Sequence, residues 1–553
     1  MIYPDPTLKI SYKQIFLVII IPIILLIPFI AKAFHIDDTV FLWTAKQILS
    51  HPADFSGFSV NWYGYEMPMY MINKNPPLVS YYIAVIAHLI GWNEIIFHLA
   101  MIIPAVFVSL GTYFLSLPFC TRPHLAAFIA VLTPGFLVSS TNVMSDVMML
   151  AFYVWAIVFW VSGLEKNSRS RLMIASVLIS LSALTKYFGI TLLPLLFVYS
   201  LAARRRPGQR ILFLMIPFLI LTEYEWVTYS VYGQGLLTSA ASYAVETGQH
   251  ERAMFLFKIL TALAFSGGCF ASVACYIPWL WSKKIQMAGV IFPVLLGTVL
   301  LYMGKLGTVE FHAGDSSVRW GLLIQSSLFI AAGIHIFVLA LTDLLRHKDN
   351  FSLLLFLWVS GTLFFAIFVN WTISARTVLP MAPAVGILVS RRYGVRTDTA
   401  QYSSLSSPFL PLTFAALIAL AVTWADFSLA ECERLAARYV QSEFDKYPHT
   451  IWFQGHWGFQ YYMESVGARA LDFKNSVLQQ GDIIIVPSNN SNVRQLSGNI
   501  FHLLKTEQLY SCRWLATMAP SSGAGFYADV FGPLPFVFDT VKPNEYNFFM
   551  VDP

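Results

Sequence analysis

"PPLVSYYIAVIAHLIG", residues 76–91, decides how this chain is threaded. The stretch is apolar, but it opens on two prolines and carries His88. It is also short of the roughly 20 residues that a helix needs to cross a bilayer. With the N-terminus and its Lys9 and Lys13 in the cytoplasm, the charges downstream discriminate between two threadings. If 76–91 lies flat on the outer surface, one side receives every basic cluster: Arg122; Lys166, Arg169 and Arg171; Arg204, Arg205, Arg206 and Arg210; Lys283 and Lys284; Arg346 and Lys348; Arg391, Arg392 and Arg396. If it crosses, all of them move outside. Basic loops stay cytoplasmic, so 76–91 is expected to be a juxtamembrane helix.

The rest of the composition agrees with a polytopic membrane protein. Of 553 residues, 57% are hydrophobic and 12% charged, about half the charge of a soluble domain. Aromatic residues reach 16%, as interfacial belts require. The net charge of +5 is carried by short loops between apolar runs and needs no nucleic acid to explain it. Thirteen spans are expected, near 14–33, 95–118, 124–141, 147–163, 172–186, 188–203, 211–231, 254–281, 286–303, 320–343, 351–370, 377–390 and 408–425. The N-terminus shows no small-residue cleavage site and reads as an uncleaved first span.

This threading gathers Asp37, Asp38, Lys74, Asp146, Lys186, His312 and Arg376 at the outer ends of spans or in outer loops. The first outer loop, 34–75, carries Trp62, Tyr63, Tyr65 and Tyr70. Within it "DDTVFLWTAKQILSH" has the pattern of an amphipathic helix with the acidic pair in its first turn. Residues 1–425 read as the transmembrane domain. Residues 426–553 are more polar, mixing a helical piece, "AECERLAARYVQSEF", with "GDIIIVPS", a short buried strand. They read as a small extracytoplasmic α/β domain. The five cysteines show no metal-ligand spacing, and Cys432 and Cys512 could pair outside the cell.

Two adjacent acids at a membrane boundary are costly unless hydrated, paired or used. A carboxylate there can act as general base for an acceptor hydroxyl, and a lysine can neutralise a phosphate. Asp37 or Asp38 with Lys74 and Lys186 would suit transfer from a lipid-linked phosphate. The plainer reading is that Asp37 and Asp38 favour a helix N-terminus and that Lys74 snorkels. His312 and Asp315 in "EFHAGDSSVRW" read as a metal-binding pair or a solvated loop, and "GQHER", 248–252, as a loop. "ARRRPGQR" suits an anionic-lipid contact or a cytoplasmic anchor. His456 and Trp457 in "QGHWGFQYYME" read as a carbohydrate-contact surface or a packed aromatic core.

Five motifs in order carry a resemblance. They are "HIDDTVFLWTAKQILS", "NKNPPLVSYYIAVIAHLIGWNEIIFHL", "TNVMSDVMMLAFYVWAIVFW", "SALTKYFGITLLPLLFVYSL" and "ARTVLPMAPAVGILV". Over roughly residues 10–390 the chain resembles the GT-C fold, polyprenyl-phosphate-dependent glycosyltransferases. More narrowly it is similar to glycosyltransferase family 39, the protein O-mannosyltransferases, and to the related bacterial lipid A aminoarabinose transferases. The resemblance implies Asp37 as the base and Asp38 as orienting the acceptor or a cation. It implies that Lys74 and Lys186 hold the donor phosphate, that Asp146 closes the site, and that Arg376 contacts phosphate or acceptor. Three departures stand out: Asn75 separates Lys74 from Pro76, Tyr187 follows Lys186 where glycine is usual, and His98 stands where an arginine is expected after "GWNE".

The expected function is an integral membrane glycosyltransferase of the cell envelope. It would move a sugar from a polyprenyl-phosphate donor to an extracytoplasmic protein, lipid A, other lipid or glycan by inverting displacement. The expected location is a bacterial inner membrane. No cofactor is demanded, and a divalent cation at the acidic pair stays open. A lipid-sugar flippase should show mid-span charges and repeated halves, which this sequence lacks. A non-catalytic assembly protein on the same scaffold would have no need of Asp37, Lys74, Asp146 and Lys186 together.

Overall fold

The acidic pair opens a helix as its pattern dictates: Asp37 is the N-cap and Asp38 the first residue of Asp38–Ser50. Val40, Phe41, Leu42, Ala45 and Ile48 are buried along one side. A computed structural model of the chain describes residues 11–203, 208–249, 255–399, 409–496, 498 and 500–552. Lys9, Arg204, Arg205, Arg206 and most of "GQHER" fall outside them.

Helices dominate. Among the described residues eight are long and apolar enough to cross a membrane, and two bent pairs raise the number to ten. The expected thirteen is not reached on those criteria. The expected spans 172–186, 188–203 and 377–390 are helices, Arg169–Thr185, Tyr187–Ala203 and Ala382–Thr399. The first two are short because the chain breaks at Lys186, and the third carries Arg391, Arg392 and Arg396. The decisive stretch 76–91 forms the 13-residue helix Leu78–Ile90. At 1.5 Å per residue it is about 20 Å long, well short of a hydrocarbon core.

One bent pair shows how sequence makes the break. Pro123–Val131 and Pro134–Ser140 meet at 68°. Pro134 forces Thr133 into extended backbone, and the Thr133 side chain then accepts from Phe136 N to start the next helix. Elsewhere Gly267 and Gly333 let the helices Phe255–Cys269 and Trp320–His347 touch. A Cβ on either would stand 1.8 Å from Phe329 O or 2.1 Å from Leu263 O. Close backbone approach of this kind drives helix association where lipid removes the hydrophobic incentive.

The C-terminal part holds a five-stranded sheet in the order Arg469–Ala470, Ile451–Phe453, Ile483–Pro487, Asn544–Val551, Phe501–Leu509. Ile451 lies parallel to Ile483, and Tyr546 antiparallel to Pro487. The "IIIVP" strand is central and buried throughout, as a continuous apolar run requires. The helix Phe409–Phe444 runs unbroken from the last apolar segment through residue 425 toward this sheet. Cys432 and Cys512 are free thiols; Cys432 Sγ donates to Ser428 O, and Cys512 N to Ser428 Oγ.

The sheet part docks directly on the first loop. The hairpin Ser59–Asn61/Glu66–Pro68 binds it through Asn61 Nδ2 to Leu471 O (3.1 Å) and Phe473 N to Gly64 O (2.8 Å). Gly458 permits the helix Trp457–Ser465 to meet Phe34, since a Cβ there would lie 1.9 Å from Phe34 O. His456 and Trp457 are 2% and 6% exposed. They belong to the packed aromatic core, and a carbohydrate-contact surface at this pair is ruled out by their burial.

Candidate active site

The acidic pair separates at a strained turn. Ile36 holds φ 48°, a left-handed conformation that a β-branched residue seldom takes. Asp38 then lies fully enclosed: its Oδ2 accepts from His35 N (2.9 Å) and its Oδ1 from Val143 N (2.8 Å). Burial pushes its pKa up to about 7, against Lys32, His35 and the two backbone donors. Asp37 makes no side-chain cap bond to its helix. Its carboxylate, 32% exposed, meets Arg376 at 2.9 Å.

Arg376 stands on the short helix Ala375–Val378, opened by a capping box between Ser374 and Thr377. The C-terminal part fixes this turn. Ala375 N donates to Phe526 O (2.8 Å) and Ile373 N to Asp529 Oδ1 (3.0 Å). The guanidinium also points Nη1 at Met144 Sδ (3.1 Å) and sits 5.6 Å from the Tyr527 ring centre. It lies within electrostatic reach of both Asp37 and Asp146.

Asp146 is the second residue of the helix Ser145–Glu165, where the helix dipole favours an anion. It binds Lys186 Nζ at 2.5 Å. Lys186 sits where the helix Arg169–Thr185 ends and the chain turns extended before Tyr187. The carboxylate is 2% and the amine 22% exposed, so the pair opens on its lysine side.

Lys74 takes its partners from another helix, Leu236–Gln249: Ser239 Oγ at 3.1 Å and the face of Tyr243. Burial lowers its pKa, opposed by Glu246. Tyr63 bridges the gap electrostatically. Burial raises its phenol to about 12, and Tyr243 and Asp37 add to the rise. Asp37, Asp146, Lys186 and Arg376 thus form one group, with Lys74 across a tyrosine pair and Asp38 behind it.

An apolar groove of about 560 Å³ is lined by Tyr187, the residue that follows Lys186, and by Leu237, Ala240 and Phe365. A cation beside the acidic pair is not supported: Asp37 is bound to Arg376 and Asp38 to backbone N–H groups. Among the described residues no three His, Cys, Asp or Glu side chains are placed to hold a metal, His312 and Asp315 included.

A buried network behind the group was not visible from sequence motifs. Lys32, fully buried, binds Asp426 (2.6 Å), Asn142 (2.5 Å) and Thr141 (3.3 Å). Asp426 also accepts from Thr517 and Tyr527, both at 2.8 Å. His35 meets Glu433 at 3.2 Å. The one available signal was a lysine within the last turn of the first apolar run. At "GWNE", Glu94 is met at 2.5 Å by Arg434 of the helix Phe409–Phe444, while His98 bonds Glu94 O at 2.9 Å.

Residues 74–226 match the sequence model of the family described as dolichyl-phosphate-mannose-protein mannosyltransferase. The matched segment runs through the stretch that holds Lys74, Asp146 and Lys186. Among solved structures, the chain is similar to the Archaeoglobus fulgidus oligosaccharyltransferase tethered with an acceptor peptide, at 13% identity and TM-score 0.47. That similarity covers 83% of this chain and 64% of the other, so the chain spans less than two thirds of that relative's length. It is also similar to ArnT from Cupriavidus metallidurans bound to undecaprenyl phosphate, at 12% identity and TM-score 0.43, over 86% of this chain and 93% of that one. No curated protein gives a significant match.

Proposed function

We propose that the chain transfers a sugar from a polyprenyl-phosphate donor to an extracytoplasmic acceptor by a single inverting displacement. The observation that carries this reading is two ion pairs, Asp37–Arg376 and Asp146–Lys186, together with an apolar groove lined by Tyr187, the residue that follows Lys186. A polyprenyl tail fits such a groove, and its phosphate then arrives at Lys186, Arg376 and, across the tyrosines, Lys74. Asp37 accepts the proton of the acceptor hydroxyl. The freed oxygen attacks the anomeric carbon from the face opposite the phosphate, and the carbon–phosphate-oxygen bond breaks with its electron pair leaving on the phosphate.

The cations neutralise the charge that develops on the leaving group. Preorganised charge aimed at that position lowers the barrier more than any other single effect in many transfers of this kind. Asp146 positions Lys186, and Asp38 positions Asp37 by holding the turn at His35 and the Val143 backbone together. Residues 1–425 supply the donor side. Residues 426–553, docked on the first loop, supply an outer wall. In this reading both face the periplasm of a bacterial inner membrane.

The test is label transfer in membranes containing the chain, using a panel of radiolabelled polyprenyl-phosphate sugars. Loss of label from one donor, with label appearing on an envelope acceptor, is the expected outcome. Retention of label by every donor across a broad acceptor panel would contradict the reading.

A further inference from the structure

A cleft larger than the apolar groove lies away from the ion pairs. It has a volume of about 700 Å³ and sits where the first loop meets the C-terminal sheet. Its walls combine two half-buried indoles with polar groups. Trp43 comes from the helix that Asp37 caps, and Trp452 from the second strand of the sheet, its Nε1 fixed to Asp482 Oδ2 at 2.9 Å. Around them stand Asn61, Glu66, Glu464 and Arg469.

We propose that this cleft binds a neutral or amine-bearing oligosaccharide, the glycan portion of the acceptor. Indole faces offer a flat apolar surface to the C–H face of a sugar ring, while amide, carboxylate and guanidinium groups serve its hydroxyls. Asn61 supplies the independent sign of a missing ligand. It is 7% exposed and lines the cleft, its Nδ2 is spent on Leu471 O, and its Oδ1 has no partner. A buried amide oxygen left without a protein partner is uncommon and costly.

The charge selects the class of glycan. Glu66, Glu464 and Asp472 line the cleft against Arg469 alone, so polyanionic sugars are disfavoured. The sheet's edge strand, Arg469–Ala470, could otherwise invite an extended peptide. Here the backbone just beyond it is already taken by Asn61 and Gly64 of the first-loop hairpin. One helix links the cleft to the acidic pair: Trp43 is five residues along it from Asp38, a rise of about 8 Å.

This inference names the acceptor class and so rests on the transferase reading, but its test does not. Purified full-length chain is titrated with chitotriose, maltotriose, trigalacturonic acid and a Ser/Thr-rich peptide, following tryptophan fluorescence and calorimetric heat. The expected result is saturable binding of a neutral trisaccharide, weakened about tenfold by Trp452→Ala. Glu66→Ala and Arg469→Ala, both at exposed positions, weaken it without touching the fold. Binding is read in the absence of any lipid-linked donor, which separates this site from the transfer reaction. Absence of saturable trisaccharide binding would overturn the proposal. So would binding indifferent to all three cleft variants, preference for the acidic trisaccharide, or peptide binding alone.

Discussion

The guanidinium of Arg376 lies 2.9 Å from the carboxylate of Asp37, joining residues 339 positions apart (376 − 37). A guanidinium fixed by Met144 and Tyr527 orients the carboxylate that it pairs with, and a general base must be oriented. The same guanidinium reaches toward Asp146 and stacks over Tyr527, so one side chain ties both ion pairs to the C-terminal part. Arg376→Ala is expected to lower transfer by about 10²–10³-fold, the usual loss for one preorganised donor. Arg376→Lys keeps the charge but loses the fork and should recover only part of it. Initial rates of label transfer with matched protein levels check both.

Lys186 should act on the donor rather than on the fold. Its amine is the open side of the Asp146 pair. Lys186→Met is expected to raise the KM for the lipid donor and to lower kcat, since a phosphate contact strengthens as the leaving group gains charge. Asp146→Asn should lower kcat with a smaller change in KM, through misplacement of the lysine. Donor titrations on the two variants separate these patterns.

The buried pair Lys32–Asp426 makes a stability prediction. Either single change, Lys32→Met or Asp426→Leu, leaves a fully buried charge without its partner and should cost about 3–5 kcal/mol. The double variant removes both charges and should recover much of that loss, although Thr517, Tyr527 and Asn142 keep unmet polar groups. Thermal unfolding in detergent of the two single variants and the double variant measures the coupling.

Asp38 predicts a pH dependence. Its ordinary value of 3.8 is pushed up to about 7 by burial. The folded chain therefore holds this proton over a window in which the unfolded chain has released it. Protons bound in the folded state exceed those in the unfolded state there, so stability falls as pH rises. The fall runs from about pH 4 to about pH 7, at about 1 kcal/mol per pH unit from this group, and ends above it. Asp38→Asn cannot release a proton and should flatten the slope while losing one backbone acceptor. Unfolding midpoints across this window for wild type and variant check the sign.

Much of this was legible where the pattern is local. The helix after Asp37 follows from the spacing of Val40, Phe41, Leu42, Ala45 and Ile48, and the central strand from an unbroken "IIIVP". The bend at Thr133 was not read, since 124–141 was expected as one span, although Pro134 carries its signal. The ion pairs were legible as residue types but not as pairs, because Asp37 and Arg376 share no local signal. The divergence of Asp37 and Asp38 was hidden altogether, since a left-handed Ile36 is dictated by packing rather than by its own preference. Lys32 and Asp426, 394 residues apart, and Tyr527 in a polar segment left no spacing to read. The oligosaccharide cleft likewise needs two distant parts to meet.

In the proposed transfer Asp37 takes the acceptor's proton. The most direct measurement is the rate of sugar transfer by Asp37→Asn, against wild type, with the variant's donor affinity measured in the same membranes. Donor binding is expected within a few-fold of wild type, with a transfer rate lower by about 10²–10⁴-fold. Transfer at the wild-type rate by a variant that still binds donor would contradict it.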